Sequence, residues 1–198
     1  MTDLVVGADG IARCGWVGTD TPYEQYHDRE WGVPLHTDRA LFEKLCLEAF
    51  QAGLSWRTVL HKRPAFRRAF DGFAIEIVAH YGPTDVERLV ADAGIIRNRG
   101  KIEAIVQNAV IALELTRENP GALERLMWSY RPDSARPRPR TTFDLATTTA
   151  ESTALSQALR KLGFRFVGPT TMHALMQSTG MIDDHLVGCW RAGGAPRP

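Results

Sequence analysis

DVERLVADAGIIRNRGKIEAIVQNA, residues 85–109, is the clearest indication of the fold in this sequence. It reads as two helices joined by a short turn, in which Gly94 would end the first helix and Gly100 would open the second. Three cations lie in or beside that turn: Arg97, Arg99 and Lys101. Backbone N–H groups and the positive end of a helix can hold a DNA phosphate there, and the cations would add affinity. The alternative is an ordinary helical hairpin with a solvated basic turn.

Helical signals dominate the rest of the chain as well. Apolar residues recur at helical spacing over 101–119, and Thr37 or Asp38 would cap a helix over 39–54 that ends at Gly53. Further helices are predicted to start at a capping box of Thr84 with Glu87 and at Asn119 with Pro120. Two more are predicted to start at Pro169 and, as a short helix over 185–190, after Asp183 and Asp184. No segment reads as a series of strands, so the predicted fold is all-α, with about five to eight helices.

The composition is that of a globular protein and excludes several classes. Of 198 residues, 44% are hydrophobic and 24% charged, and the formal net charge is +1. Such balance argues against wrapping long nucleic acid by charge alone, although a compact phosphate site stays possible. Three cysteines are too few and too odd in number for a secreted disulfide scaffold. Since neither a signal peptide nor a membrane-spanning stretch is evident, we expect a cytoplasmic protein with no membrane partner.

Four potential metal ligands lie near the two ends of the chain: Cys14, His27, His185 and Cys189. On a helix, His185 and Cys189 would lie one turn apart on one face, so that both could reach one ion. Two thiolates and two imidazoles make a closed tetrahedral shell of the kind that zinc favours, with no position for an activated water. The spacing alone leaves open that these are a buried cysteine, a core histidine and unrelated neighbours. Cys46 falls within an apolar helix face and is assigned to the core.

Aromatic residues crowd the same region: Trp16, Tyr23, Tyr26, Trp31 and Trp56. Flat aromatic faces suit a nucleobase, and a cationic base most of all, although aromatics also fill protein cores. On a helical wheel, Glu48 lies at the edge of the apolar arc rather than with Glu43, Lys44 and Gln51 on the wet face. A half-buried carboxylate can recognise a base or steer a proton, and the alternative is a boundary glutamate whose head stays in water.

Taken together, these segments resemble the constitutive bacterial 3-methyladenine DNA glycosylases of type I, a branch of the helix-hairpin-helix glycosylase superfamily. The likeness is carried by RCGW at 13–16, YHDREWGVP at 26–34, LFEKLCLE at 41–48, QAGLSW at 51–56, DAGIIRNRGKI at 92–102, FRFVG at 164–168 and DHLVGC at 184–189. The expected organisation is an N-terminal extension over 1–12 and a single glycosylase domain over 13–198, with the helix-hairpin-helix motif at about 85–117. The segment RPDSARPRPRTT, 131–142, is interpreted as an exposed connecting loop.

The resemblance implies a role for each candidate residue. One structural zinc ion per chain would be held by Cys14, His27, His185 and Cys189. The base pocket would be walled by Trp16, Tyr26 and Trp56, with Tyr23 nearby, and Glu48 would accept hydrogen bonds from the flipped base as the catalytic residue. Gly53 and Leu54 would fill the gap that the base leaves in the DNA. The hairpin would hold phosphate through Arg97, Arg99, Gly100 and Lys101.

The implied reaction is hydrolysis of the N-glycosidic bond of 3-methyladenine in alkylated double-stranded DNA, after base flipping, by a monomer. The wider superfamily generally has a catalytic aspartate after the hairpin, but no aspartate occurs between Asp92 and Asp133 in this chain. No lysine holds the usual nucleophile position of the bifunctional lyases, which points to a monofunctional enzyme. Two other interpretations are a DNA-binding module without activity and a zinc-dependent hydrolase.

Overall fold

Helices make up most of the molecule, as the sequence predicts. The computed structural model describes residues 3–18, 20–133 and 136–193. Within them the α-helices are α1 (Thr21–Arg29), α2 (Asp38–Gln51), α3 (Trp56–Ala69), α4 (Ile75–Val78), α5 (Pro83–Ala91), α6 (Arg99–Thr116), α7 (Ala122–Trp128), α8 (Ala150–Lys161) and α9 (Pro169–Ser178). Single 3-10 turns cover Gly15–Val17, Asp71–Phe73 and Thr142–Asp144. None of the helices in these ranges has the combined length and apolarity that crossing a membrane requires.

Helix α2 lies at the centre of the fold and packs against α3, α6, α7 and α9. Its start is set by Thr37, whose hydroxyl accepts a hydrogen bond from the Ala40 N–H. Asp38 instead caps α7, because its carboxylate accepts from the backbone N–H groups of Gly121 and Glu124. Helix α2 ends just before Gly53, whose φ of +79° turns the chain away as predicted. The two ends of this central helix are therefore fixed by local chemistry.

The predicted hairpin is present as α5 and α6, but its helix ends differ from the prediction. The capping box of Thr84 and Glu87 is wrong: Pro83 starts α5 and Gly82 is its N-cap, because proline fits the first helical position. Helix α5 already ends at Ala91, before Gly94. Asn98, rather than Gly100, opens α6, since its side chain accepts from the Lys101 N–H. The turn between the helices is consequently longer than the glycines indicate.

The described part of the predicted N-terminal extension contains a short strand and a turn. β1 (Leu4–Val6) pairs antiparallel with β2 (Ala12–Cys14), with Leu4 opposite Cys14. Asp3 also accepts hydrogen bonds from the backbone and hydroxyl of Thr142, which lies 139 residues away along the chain. The domain boundary at residue 12 remains a prediction, and residues 1–2 and 194–198 lie outside the described residues.

Two other helix starts differ from the prediction. Residues 185–190 form turns and no helix, because Gly188 has φ of +89° and the backbone of this segment bonds to other parts of the chain. The N–H of Val187 donates to Pro139 O, and that of Trp190 donates to Ala12 O. Helix α7 begins at Ala122 after a left-handed Gly121, two residues later than Asn119 with Pro120 would place it. The loop over 131–142 contains no regular helix until the 3-10 turn at its end, and residues 134–135 lie outside the described residues.

Candidate active site and metal centre

A cavity of about 260 Å³ opens where α1, α2 and α9 meet the start of α3. Its wall brings together all five residues predicted for base recognition: Trp16, Tyr23, Tyr26, Glu48 and Trp56. The other lining residues are Trp31, Gln51, Thr142, Leu145, Ala174, Gln177 and Ser178. A cavity of this size, with five aromatic residues and a few polar groups in its wall, has the character of a small-molecule or base pocket.

The rings of the aromatic wall contact one another in edge-to-face, tilted and stacked arrangements. Trp16 meets Tyr23 with ring centroids 5.2 Å apart at 77°, and meets Trp31 at 5.0 Å and 73°. Tyr26 and Trp56 lie 5.2 Å apart at 45°. These contacts restrain the rings before any ligand enters, because each ring is packed against at least one other.

Glu48 lies inside the molecule rather than at the edge of a buried arc. Only 3% of the residue is exposed, and Ser178 Oγ donates to its Oε1 at 3.2 Å. Burial raises the pKa of the Glu48 carboxyl, and the nearby Lys44 partly opposes that shift. No donor reaches Oε2 in the part of the chain that the structure describes, which leaves this oxygen for a ligand in the cavity.

Lys44 is buried, contrary to its predicted place on the wet face of α2. Only 7% of it is exposed, and its Nζ donates to Tyr26 Oη at 2.7 Å. The ammonium also lies 4.5 Å from the centroid of the Tyr26 ring and 4.4 Å from that of Trp56. Burial lowers the pKa of Lys44 to about 8. The helical wheel failed here because α2 is enclosed by several helices, so that it has no single buried arc.

Several pocket residues lie far along the chain and were not predicted. Gln177 and Ser178 come from the end of α9, and Thr142 and Leu145 come from the segment after the arginine-rich loop. Gln177 Nε2 donates to Asp184 Oδ2 at 2.8 Å, which links the pocket to the C-terminal segment. The motif FRFVG precedes α9, but no pattern in the sequence indicates which helix closes the pocket over Glu48.

The four predicted metal ligands form one buried cluster. Their ligand atoms all lie within 4.8 Å of one another: Cys14 Sγ, His27 Nε2, His185 Nδ1 and Cys189 Sγ. Cys189 Sγ is 3.4 Å from His27 Nε2 and 3.7 Å from His185 Nδ1, and Cys14 Sγ is 3.8 Å from His185 Nδ1. Hydrogen bonding from Cys14 and from the imidazoles lowers the pKa of Cys189 despite its burial. The donor set could therefore hold a metal ion.

The groups around the cluster fix the orientation of each imidazole. His27 Nδ1 lies 2.8 Å from Asp28 Oδ1, and Asp28 is held by Arg13 and by the Trp190 indole. His185 Nε2 lies 3.3 Å from the Trp31 carbonyl oxygen. Carboxylate and carbonyl partners of this kind commonly hold a metal-binding histidine in the tautomer that leaves its other nitrogen free for the ion.

The cluster and the cavity share a wall. The ring of Trp16 lies 5.3 Å from that of His27, and the ring of Trp31 lies 4.5 Å from that of His185. Trp16 and Trp31 both line the cavity. The two histidines therefore support the back of the aromatic wall.

The residues predicted to contact DNA differ in their exposure and in their contacts. Gly53, Leu54 and Arg97 are exposed. Arg99 is also exposed, but Glu87 Oε2 lies 2.7 Å from its Nη2. Lys101 is 7% exposed, and its Nζ donates to the carbonyl oxygens of Phe50 and Ala52. Its ammonium therefore binds the C-terminal end of α2 and connects the hairpin to the loop that carries Gly53 and Leu54, instead of lying free in the turn.

Comparisons with known proteins agree with this architecture. The methyladenine glycosylase family model matches residues 16–192. The chain is similar to DNA-3-methyladenine glycosylase 1 of Escherichia coli, with 48% identity over 180 residues, which are 90% of this chain and 96% of that protein. It is also similar to the DNA-3-methyladenine glycosylase of Haemophilus influenzae, with 45% identity over 182 residues, 89% of this chain and 96% of that one.

Solved structures give the same result. A crystal structure of 3-methyladenine DNA glycosylase I superposes with a TM-score of 0.86 at 42% identity, covering 93% of this chain and 100% of the other. The Staphylococcus aureus enzyme, solved to explain its recognition of 3-methyladenine, gives a TM-score of 0.84 at 35% identity over 94% of this chain and 97% of that one. The chain belongs to the methyladenine glycosylase family.

Proposed function

We propose that this protein is a monofunctional DNA-3-methyladenine glycosylase that hydrolyses the N-glycosidic bond of 3-methyladenine during base excision repair. The observation that carries the proposal is the aromatic cavity of about 260 Å³ with the buried carboxyl group of Glu48 in its wall. A base inside a duplex cannot reach such a cavity, so the enzyme must first flip the nucleotide out of the helix.

The reaction needs little chemical assistance from the protein. Methylation at N3 gives adenine a positive charge, so the bond from the base to C1′ is already weak. When that bond breaks, its electron pair goes to the base, which leaves neutral, and water then adds to the cationic sugar carbon and loses a proton. In this mechanism Glu48 accepts hydrogen bonds from the base, and the rings of Trp16, Tyr26 and Trp56 form the walls around it. Normal adenine is spared because the pocket supplies little activation of the leaving group.

We propose that the enzyme acts on double-stranded DNA as a monomer. Leu54 and Gly53 are exposed beside the cavity residues Gln51 and Trp56, where they could fill the gap left by the flipped base. Arg97, Arg99 and Gly100 would contact a phosphate from the hairpin. Lys101 would act in this surface as a support for α2, in keeping with its buried ammonium. The cytoplasm stays the predicted location.

We also propose that the Cys₂His₂ cluster holds one structural zinc ion. Three pairs of ligand atoms lie 3.4–3.8 Å apart, which fits the edges of a tetrahedron with zinc–ligand bonds of about 2.0–2.3 Å, and all four atoms lie within 4.8 Å of one another. When bound, the ion would clamp the N-terminal segment at Cys14 and His27 to the C-terminal segment at His185 and Cys189. Four protein ligands fill the tetrahedral shell, so the role assigned to the ion is structural.

The decisive experiment is the release of free bases from methylated DNA, measured by chromatography in the presence of a chelator. Release of 3-methyladenine, with 7-methylguanine left in place, supports a narrow glycosylase in which the metal does no chemistry. Folded, metal-loaded protein that binds DNA but releases no base would instead support the DNA-binding module. Release that stops in chelator, while circular dichroism and DNA binding stay unchanged, would support a zinc-dependent hydrolase.

A further inference from the structure

Lys44 contacts the base pocket from behind, through Tyr26. Its Nζ donates to Tyr26 Oη at 2.7 Å, and both residues are buried. A lysine ammonium carries hydrogen-bond donors and no acceptor, so Tyr26 Oη must accept this bond. The proton of the Tyr26 hydroxyl then needs a different acceptor, and none is present among the residues that the structure describes. A buried donor without an acceptor is costly, which points to a ligand that completes it.

The base cavity is where that acceptor can come from, because Tyr26 lines it. A methylated adenine presents ring nitrogens as acceptors. As the glycosidic bond breaks, the base loses its positive charge, and these nitrogens accept hydrogen bonds more strongly. A donor aimed at the base therefore favours the transition state over the bound substrate.

We propose that Lys44 is a positioning residue that fixes the Tyr26 hydroxyl as a hydrogen-bond donor to the base. This inference rests on the proposed function and deepens it, since it assigns a role to a buried lysine behind the pocket wall. Lys44 does not touch the base in this arrangement. It acts through Tyr26, and its charge over the Tyr26 and Trp56 rings further polarises the hydroxyl.

The charge state of Lys44 decides which way the hydrogen bond runs. The charged or titratable groups around it are Tyr26 and Arg29 from α1, Glu30 just after α1, Glu43 and Glu48 from α2, and Arg63 and Arg67 from α3. Burial lowers the pKa of Lys44 to about 8, with Glu48 giving the largest opposing effect. Below that pH the ammonium donates to Tyr26. Above it, the neutral amine can accept the Tyr26 proton and turn that proton away from the base.

A double-mutant cycle tests the proposal on the full chain, with 3-methyladenine release as the readout. Lys44→Met and Tyr26→Phe should each lower kcat roughly tenfold with a smaller change in KM, the loss of one hydrogen bond in the transition state. Because both changes remove the same interaction, the double variant should be no slower than the slower single variant. The exposed Lys161→Met on α8 is the matched charge control and should leave kcat unchanged.

A pH profile of the unsubstituted enzyme keeps the test independent of any variant that fails to fold. The rate of release should fall as the pH rises through about 8, and Tyr26→Phe should lack that fall. Lys44→Arg, which keeps the donors, should retain more activity than Lys44→Met. A wild-type rate that stays flat from neutral to alkaline pH, or single effects that multiply in the double variant, would overturn the role of Lys44. Wild-type protein that releases no 3-methyladenine at all would instead refute the proposed function.

Discussion

Replacing Glu48 with Gln tests the proposed recognition of the base most directly. The amide has nearly the same shape, and its oxygen can still accept the hydrogen bond from Ser178 Oγ, so the fold should survive. The variant loses a buried negative charge facing a cationic base. Hydrogen bonds to charged groups contribute about 1.5–3 kcal/mol, which corresponds to roughly a 10- to 150-fold loss of kcat/KM.

The same variant predicts a change in pH dependence. Since burial raises the pKa of Glu48, the wild-type kcat/KM should fall as the pH drops through that raised value and the carboxylate takes up a proton. The Gln variant cannot titrate there and should lack this acidic limb. The assay is single-turnover release of 3-methyladenine from methylated duplex across a pH series.

Glu43→Gln is the matched control, because it removes the same charge from the same helix without lining the base cavity. It should keep nearly the full rate. If Glu48→Gln, with a normal melting temperature, released 3-methyladenine at the wild-type rate, Glu48 would have no part in recognition and the reasoning from its burial would be refuted.

Three further variants separate metal binding, DNA binding and stability. Cys189→Ser should abolish the proposed binding of one metal ion, as measured by elemental analysis, and lower the melting temperature by about 10 °C, since tight ligand binding contributes about 4 kcal/mol. Unchanged melting would contradict a structural ion. Arg97→Ala should weaken duplex binding uniformly across sequences and reduce the salt slope of binding by about one, and an unaltered slope would remove Arg97 from the interface. Lys101→Met should lower the free energy of unfolding by about 1–3 kcal/mol in denaturant titration, more than it weakens DNA binding, because its ammonium binds the carbonyls of Phe50 and Ala52 at the C-terminal end of α2. A larger loss of DNA binding than of stability would return Lys101 to the DNA-contacting residues.

The fold was predictable wherever a local signal sets it. Thr37 before a helical apolar pattern and Pro169 at a first helical position correctly gave the starts of α2 and α9. The segment over 185–190 failed because its backbone bonds to Ala12 and Pro139, which are distant in sequence. His185 and Cys189 were predicted to meet because they lie one helical turn apart. They do meet, but a turn around Gly188 brings them together instead of a helix.

The candidate site likewise contains residues that the sequence indicates and residues that it does not. Its N-terminal members come from one short stretch, Trp16 to Trp56, where motif and composition both indicate them. Ser178 lies 130 residues from the Glu48 that it contacts, and no pattern in the sequence marks that pairing. Lys44 was misplaced because a helical wheel assumes one buried side, whereas α2 is surrounded by other helices.

The contact between the histidine cluster and the aromatic wall has a consequence for synthesis of the chain. Trp16 and Trp31 leave the ribosome early, yet the ring that backs Trp31 belongs to His185, and the cluster closes only at Cys189. Most of the chain must therefore be synthesised before the pocket acquires its final shape. The aromatic residues of the pocket nevertheless belong to the first third of the sequence. A nascent chain that stops short of residue 185 carries the pocket's rings without the support that holds them, and its exposed tryptophans would be a target for chaperones and proteases.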